Sequence, residues 1–238
     1  KKYRNLFKNA KVQKAIGEAS TSYLYRDEAP KRIKATIPDI KLIAILRNPA
    51  ERAFSAYMHL IRDQREVIKP FSEALKQEEI RKRNNWDPIW HYTSVGFYYE
   101  QLSRYYEIFS QEQIKIFLYE QLKSNPTILL KDIFSFLEIE TDFSPDISLR
   151  LNVSGSQKNQ LTYLISRKVF NSPNPIRWIS RIFIPESWRQ KVTNWIRMTN
   201  LEEQIIPMEV KRELIELYRE DILKLEDLIN RDLSHWLA

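Results

Sequence analysis

Residues 41–59 constrain the fold more than any other stretch of the chain. The apolar run from Leu42 to Leu46 is too short for an amphipathic helix and is typical of a buried strand in a parallel sheet. Pro49 is tolerated at the first position of a helix but disrupts a helix interior, so we expect the chain to turn at Asn48 and then become helical. A strand, a tight turn and a helix in this order indicate an α/β fold, with helices flanking a parallel sheet.

The predicted helix has two faces. Its apolar stripe consists of Ala50, Ala53, Phe54, Tyr57 and Ile61, and its polar face consists of Arg52, Ser55, His59 and Arg62. Because Arg47 ends the strand, Arg47 and Ser55 can face one crevice at the carboxyl edge of the sheet, where α/β proteins bind ligands. A guanidinium and a hydroxyl suit a phosphate group. On spacing alone, a solvated helix face without function is an equally good interpretation.

The sequence of residues 41–57, KLIAILRNPAERAFSAY, resembles the 3′-phosphate-binding motif of sulfotransferases that use 3′-phosphoadenosine 5′-phosphosulfate. The similarity is closest to the heparan sulfate N-sulfotransferase branch. The resemblance implies a P-loop-like sulfotransferase fold in which Arg47 and Ser55 bind the 3′-phosphate of the donor. It also implies that His59 orients or deprotonates the acceptor, whereas a half-buried histidine without a catalytic role is the competing interpretation.

Other segments extend the resemblance from Gly17 to Trp236. The segment GEASTSY resembles one whose glutamate is the proposed catalytic base of the glycan-modifying branch, which implies that role for Glu18. The polar loop at residues 152–158 lies where many sulfotransferases close over the nucleotide, so Gly155 and Lys158 are candidate nucleotide-binding residues. A solvated loop is the alternative there. The implied reaction transfers a sulfuryl group from the donor to a hydroxyl or amine of a glycan or small-molecule acceptor.

The amino-terminal part departs from the family pattern. Sulfotransferases hold the 5′-phosphosulfate in a loop of the Lys-X-Gly-Thr-Thr type, and residues 1–16 contain no glycine. We therefore expect a single domain over residues 1–238 that lacks its first strand and its phosphosulfate-binding loop. On this interpretation one sheet edge is unpaired, and the chain alone is a poor catalyst or a noncatalytic relative.

Composition narrows the remaining possibilities. A chain of 238 residues is long enough for one sizeable core, and no apolar run approaches the roughly twenty residues of a membrane span. The absence of cysteine excludes disulfides and thiolate metal sites and suits a cytoplasmic location. Three histidines are too few to favour a histidine metal cluster, so we expect no metal.

The positive charge is concentrated in one segment. Residues 167–200 hold seven basic residues against one acidic residue, a net +6 of the chain's +7. Tryptophans interleave with these charges, so the segment could bind an acidic glycan or nucleic acid without catalysis, or contact a membrane surface through residues 170–200. An ordinary amphipathic packing segment is an equally good interpretation. We favour an anionic nucleotide and a glycan as partners and expect no nucleic acid.

Overall fold

The computed structural model describes residues 7–10, 12–143, 145, 156–157, 201–202 and 204–238. Strands β1 (Leu42–Leu46) and β2 (Ile114–Leu118) pair in parallel, with Leu42 opposite Ile114 and Leu46 opposite Leu118. A second pair, β3 (Ser156–Gln157) and β4 (Leu201–Glu202), is antiparallel. The parallel pairing of two strands that each lead into a helix confirms the predicted α/β architecture.

Eight α-helices lie within the described residues. They are α1 (Ala29–Thr36), α2 (Pro49–Arg62), α3 (Phe71–Lys76), α4 (Glu78–Arg83), α5 (Tyr98–Tyr106), α6 (Tyr119–Ser124), α7 (Pro126–Phe136) and α8 (Met208–Ile229). Single 3₁₀ turns occupy Pro88–Trp90, Ser94–Gly96, Gln111–Gln113 and Ser234–Leu237. None of the helices in the described part of the chain is both long and apolar enough to cross a membrane.

Helix α2 begins where the sequence predicts. The Asn48 side-chain oxygen accepts hydrogen bonds from the backbone N–H groups of Ala50 at 3.0 Å and Glu51 at 3.2 Å, and Pro49 occupies the first helical position. Asn125 caps α7 in the same way, since its side chain accepts from the Ile128 N–H at 3.2 Å. The start of α2 after β1 and the start of α7 after α6 are therefore both determined by local cap chemistry.

The core forms where α8 packs against both α2 and α5. Its largest fully buried side chains include Leu60, Tyr92, Leu102, Tyr218, Ile222 and Trp236. At Gly96 the backbone approaches Tyr218 so closely that an added Cβ would lie 2.6 Å from the tyrosine hydroxyl oxygen. That hydroxyl donates to the Thr93 carbonyl at 2.9 Å, which ties α8 to the turn before α5.

Strand β1 is less buried than predicted. Only Leu46 is fully buried, while Ile43 and Ile45 are 38% and 45% exposed. The reason is that the two faces of the strand differ: Leu42 and Ala44 pack against the core, whereas the alternate residues point to the other face. In the described part of the chain, β1 has β2 as its one neighbouring strand.

Three further sequence predictions need correction. Arg52 was expected on the solvated face, but its long side chain donates a hydrogen bond to the carbonyl of Tyr92. The helical spacing of apolar residues from position 210 onward predicts a core position for Leu217, but Leu217 is half exposed, because Leu214, Ile215 and Tyr218 occupy the buried stripe of α8. The charged sequence at residues 71–83 predicts one helix, but the helix divides at Gln77 into α3 and α4.

Candidate functional site

The carboxyl ends of β1 and β2 lie side by side and bring Arg47 next to Tyr119. Arg47 directly follows Leu46. Tyr119 directly follows Leu118, which is the residue opposite Leu46 in the strand pair. The centre of the Arg47 guanidinium lies 5.0 Å from the centroid of the Tyr119 ring. Parallel strands end at the same edge of a sheet, which explains this meeting of residues 72 positions apart in the chain.

A carboxylate orients the Arg47 side chain. The Nε and Nη2 atoms of Arg47 donate to one oxygen of Glu51 at 3.1 Å and 3.0 Å, and about a quarter of the arginine side chain is exposed. The ammonium group of Lys123 lies 5.7 Å from the centroid of the same Tyr119 ring. Two cations, Arg47 and Lys123, therefore lie near the Tyr119 ring, and such groups can bind an anion. Sequence reasoning missed Glu51, Tyr119 and Lys123, although Tyr119 directly follows an apolar run at residues 114–118 of the kind that predicts a strand.

Ser55 lies one helical turn beyond Glu51 on α2. A turn of helix rises about 5.4 Å, so Ser55 is on the same face as the carboxylate that holds Arg47. Its half-buried hydroxyl has no hydrogen-bond partner among the described residues, and no direct contact joins it to Arg47. Glu51 thus links the predicted pair, because it holds Arg47 and lies on the same helix face as Ser55, while no hydrogen bond joins Arg47 to Ser55.

His59 lies one turn further along α2, and each of its ring nitrogens lies close to a charged side chain. Arg62 lies 2.7 Å from His59 Nδ1, and because a guanidinium can only donate, Nδ1 must be the acceptor. The proton of the neutral ring is then on Nε2, which lies 3.3 Å from an oxygen of Asp63. Burial lowers the pKa of His59, the charges of Arg62 and Arg65 lower it further, and Asp63 opposes them. His59 is therefore a neutral imidazole whose proton faces a carboxylate.

Glu18 lies in an exposed segment without regular secondary structure, residues 12–20, and not directly after a strand. Within the described residues, no hydrogen bond or ion pair joins it to Arg47, Ser55 or His59. The chain just beyond it is anchored to α5, because the Tyr105 hydroxyl donates to the Tyr23 carbonyl at 2.8 Å. The role of Glu18 stays a prediction.

The carboxyl-terminal segment is hydrogen-bonded to residues that follow β1 and β2. The Asn48 side-chain NH₂ donates to the Trp236 carbonyl at 3.1 Å, and the Trp236 indole N–H donates to Glu120 at 3.0 Å. Trp236 is 1% exposed. Residues 48, 120 and 236, which are far apart in the sequence, therefore meet at one place, where both the backbone carbonyl and the indole N–H of Trp236 are hydrogen-bonded.

The remaining candidates lie elsewhere. Gly155, Lys158 and the basic segment 167–200 lie outside the described residues, so their predicted roles stay predictions. Within the described residues there is no group of three or more histidine, aspartate or glutamate side chains that could hold a metal ion.

Comparison with known proteins gives the family. The sulfotransferase domain family matches residues 24–162, which include Arg47, Ser55 and His59. The chain is 25% identical over 208 residues to bifunctional heparan sulfate N-deacetylase/N-sulfotransferase 4 of Mus musculus, covering 83% of this chain and 23% of that protein. It is 29% identical over 138 residues to heparan sulfate glucosamine 3-O-sulfotransferase 3B1 of Mus musculus, covering 58% of this chain and 35% of that protein.

A solved structure agrees with these sequence matches. The crystal structure of a sulfotransferase from Alicyclobacillus acidocaldarius superposes with a TM-score of 0.74 at 32% identity, covering 100% of this chain and 73% of that chain. The curated relatives are longer, since this chain spans 23% and 35% of the two named above. Because the matched domain covers more than half of the chain, the protein belongs to the sulfotransferase domain family.

Proposed function

We propose that this protein transfers a sulfuryl group from 3′-phosphoadenosine 5′-phosphosulfate to a hydroxyl or amine of a glycan. The observation that carries the proposal is the position of Arg47 at the carboxyl edge of the sheet, near a second cation, Lys123, in a chain of this family. Glu51, which holds Arg47, lies one helical turn from Ser55, whose hydroxyl has no hydrogen-bond partner among the described residues. Relatives named for N-sulfation and for O-sulfation match at 25% and 29% identity, so the proposal includes both kinds of acceptor.

The residues at the sheet edge fit a phosphate group. Arg47 has five N–H donors, and Glu51 accepts from only two of its nitrogens, so donors remain for a phosphate. Ser55 has a hydroxyl that makes no hydrogen bond among the described residues, and Lys123 adds a second positive charge. The nucleotide supplies the activated sulfuryl group when it is bound. Gly155 and Lys158, which lie outside the described residues, stay in this proposal as candidate nucleotide-binding residues.

Proton removal from the acceptor is assigned to Glu18, not to His59. His59 would have to break its contact with Arg62 before its unprotonated nitrogen could accept a proton from a substrate. The Glu18 carboxylate is exposed and makes no hydrogen bond or ion pair within the described residues, so it is available to an acceptor. His59 then acts as a positioning residue, since its Nε2 proton can be shared between Asp63 and an acceptor oxygen.

The first test measures nucleotide affinity. Arg47→Ala should weaken binding of 3′-phosphoadenosine 5′-phosphate by about 1.5–3 kcal/mol, the usual contribution of a hydrogen bond to a charged group, and Ser55→Ala should weaken it less. Titration calorimetry measures both changes. The matched control is adenosine 5′-phosphate, which lacks the 3′-phosphate and whose affinity should not depend on Arg47. Equal affinity of wild type and folded Arg47→Ala for the bisphosphate would overturn the nucleotide assignment.

The second test separates the two candidate proton acceptors. Glu18→Gln should leave nucleotide affinity unchanged and lower turnover by about 10²–10⁴-fold, the usual contribution of a positioned general base. Because we expect slow turnover of this chain, transfer is followed with a donor carrying radioactive sulfur. His59→Ala should lower turnover less than Glu18→Gln does. If His59→Ala abolishes transfer while Glu18→Gln transfers normally, the two roles are reversed.

A further inference from the structure

The carboxylate of Glu51 occupies the cation that we assign to the 3′-phosphate. Both of its contacts with Arg47 reach one carboxylate oxygen, from Nε at 3.1 Å and from Nη2 at 3.0 Å. Nε and Nη2 form one edge of the planar guanidinium, and it is through such edges that arginine binds carboxylates and phosphates. A group of the protein itself therefore takes an edge of Arg47 that a phosphate would use.

Glu51 lies midway along the chain between Arg47 and Ser55. Glu51 and Ser55 are four positions apart in α2, and such side chains have Cβ atoms about 5–6 Å apart on one helix face. The Ser55 hydroxyl has no hydrogen-bond partner among the described residues. A phosphate that accepts hydrogen bonds from both Arg47 and Ser55 would therefore lie beside the Glu51 carboxylate, and two anions this close repel each other.

The contact between Arg47 and Glu51 can be exchanged at little cost in stability. The Glu51 side chain is 43% exposed, and that of Arg47 is 26% exposed. Ion pairs that reach the solvent contribute little to stability, in contrast to fully buried ones. In the described part of the chain Arg47 is the one ion-pair partner of Glu51, so a Glu51 carboxylate that is released from Arg47 turns toward water.

We propose that Glu51 is an internal competitor of the nucleotide: it occupies Arg47 in the free protein and is displaced when the 3′-phosphate binds. This inference rests on the proposed function and adds to it a residue that sets how tightly the nucleotide is held. Glu51 acts through Arg47 and not on the sulfuryl group or the acceptor, so it is a positioning residue and not a catalytic one.

The competition also affects turnover. The 3′-phosphate is present in both the sulfuryl donor and the product 3′-phosphoadenosine 5′-phosphate, so Glu51 weakens the binding of both. A contact that changes the binding of substrate and transition state equally alters KM and not the chemical step. Glu51→Gln should therefore lower KM for the sulfuryl donor without raising kcat, and the product should leave more slowly. A merely structural role of Glu51 would not produce this split.

Titration calorimetry on the whole protein tests the competition with two nucleotides. Glu51→Gln removes the charge of Glu51 and keeps its size. We expect this variant to bind 3′-phosphoadenosine 5′-phosphate about fivefold or more tightly than wild type does, a gain of about 1 kcal/mol. Its affinity for adenosine 5′-phosphate, which lacks the 3′-phosphate, should equal that of wild type. Glu51→Ala, which also removes the charge, should show the same pattern.

The matched control removes the same charge elsewhere. Glu220 on α8 pairs with Lys224, four residues further on, at 2.6 Å, and the Glu220 side chain is 83% exposed. Glu220→Gln changes the net charge of the protein as Glu51→Gln does, so a gain caused by net charge alone would appear in both variants. We expect Glu220→Gln to bind both nucleotides as wild type does, and all variants to have melting temperatures near that of wild type.

A double variant shows whether Glu51 acts through Arg47. In the Arg47→Ala background there is no guanidinium to compete for, so Glu51→Gln should raise the affinity for the bisphosphate by less than about twofold. An equal gain with and without Arg47 would show that Glu51 only repels the nucleotide, and the competition for Arg47 would be wrong.

The outcomes separate this inference from the proposed function. If Arg47→Ala weakens binding of the bisphosphate while Glu51→Gln leaves it unchanged or weakens it, the proposed function stands and Glu51 is not a competitor. An equal gain in Glu220→Gln would also overturn the inference. If Arg47→Ala binds the bisphosphate as wild type does, the nucleotide assignment itself fails, and the role of Glu51 fails with it.

Discussion

Two polar clusters of this protein differ in how completely their groups are satisfied. In the first cluster, the buried Glu66 carboxylate accepts hydrogen bonds from Arg81 Nη2 on α4 at 3.0 Å and from the Tyr92 hydroxyl at 2.6 Å. It also accepts from the backbone N–H groups of Val67 and Ile68, both at 3.0 Å. At the carboxyl edge of the sheet, the Ser55 hydroxyl has no partner among the described residues. Both clusters contain an arginine held by a glutamate.

The difference separates structure from binding. A buried ion pair with all lone pairs occupied holds segments together, and nothing in it is left for a ligand. A half-exposed pair beside an unpartnered hydroxyl can exchange its contacts for those of a phosphate at little cost. The sheet edge is therefore the cluster that we assign to nucleotide binding, and the Glu66 cluster is the one that we assign to stability.

The largest expected effect is on stability. Arg81→Ala should lower the free energy of unfolding by about 3–5 kcal/mol, because it leaves the Glu66 carboxylate buried without its cation. Urea unfolding followed by circular dichroism measures the change. A loss below about 1 kcal/mol would show that water reaches Glu66, and the contrast between the clusters would disappear.

The control for this change is at the other cluster. Ser55→Ala removes a hydroxyl without a partner in the described chain, so the free energy of unfolding should stay within about 0.5 kcal/mol of wild type. The same variant is expected to lose nucleotide affinity. A variant that loses stability as well would place Ser55 in a structural role.

A smaller effect is expected in acid. Burial by itself would raise the pKa of Glu66, but hydrogen bonds from Arg81, Tyr92 and the Ile68 backbone lower it below the usual value. A carboxyl with a lowered pKa contributes stability above its unfolded pKa of about 4.3, and this stability is lost as pH falls through the folded pKa. Between pH 6 and pH 3, wild type should lose on the order of 1 kcal/mol more than Glu66→Gln does. An equal loss of stability in wild type and Glu66→Gln over this pH range would show that Glu66 does not stabilise the fold through its ionised form.

Local chemistry made much of the fold predictable from the sequence. The apolar run before Arg47, the cap at Asn48 and the proline at position 49 determine β1 and the start of α2, since each acts within a few residues. The cap at Asn125 and the periodicity of α8 act in the same way. The resemblance of residues 41–57 to a sulfotransferase motif also came from sequence alone, and the family match confirms the family.

Tertiary structure decided which charges are buried and which groups pair. Glu78 and Arg81 lie in a segment that the sequence presents as a charged, solvated helix, yet packing against Tyr92 and Thr93 buries both. Glu66 and Arg81 are 15 residues apart, and Asn48 and Trp236 are 188 apart. Sequence periodicity reports only the face of an element on which a residue lies. The residue that it contacts there depends on how the elements pack. The ion pair of Glu66 with Arg81, the contact of Arg81 with Trp86 and the contacts of His59 therefore became visible only in three dimensions.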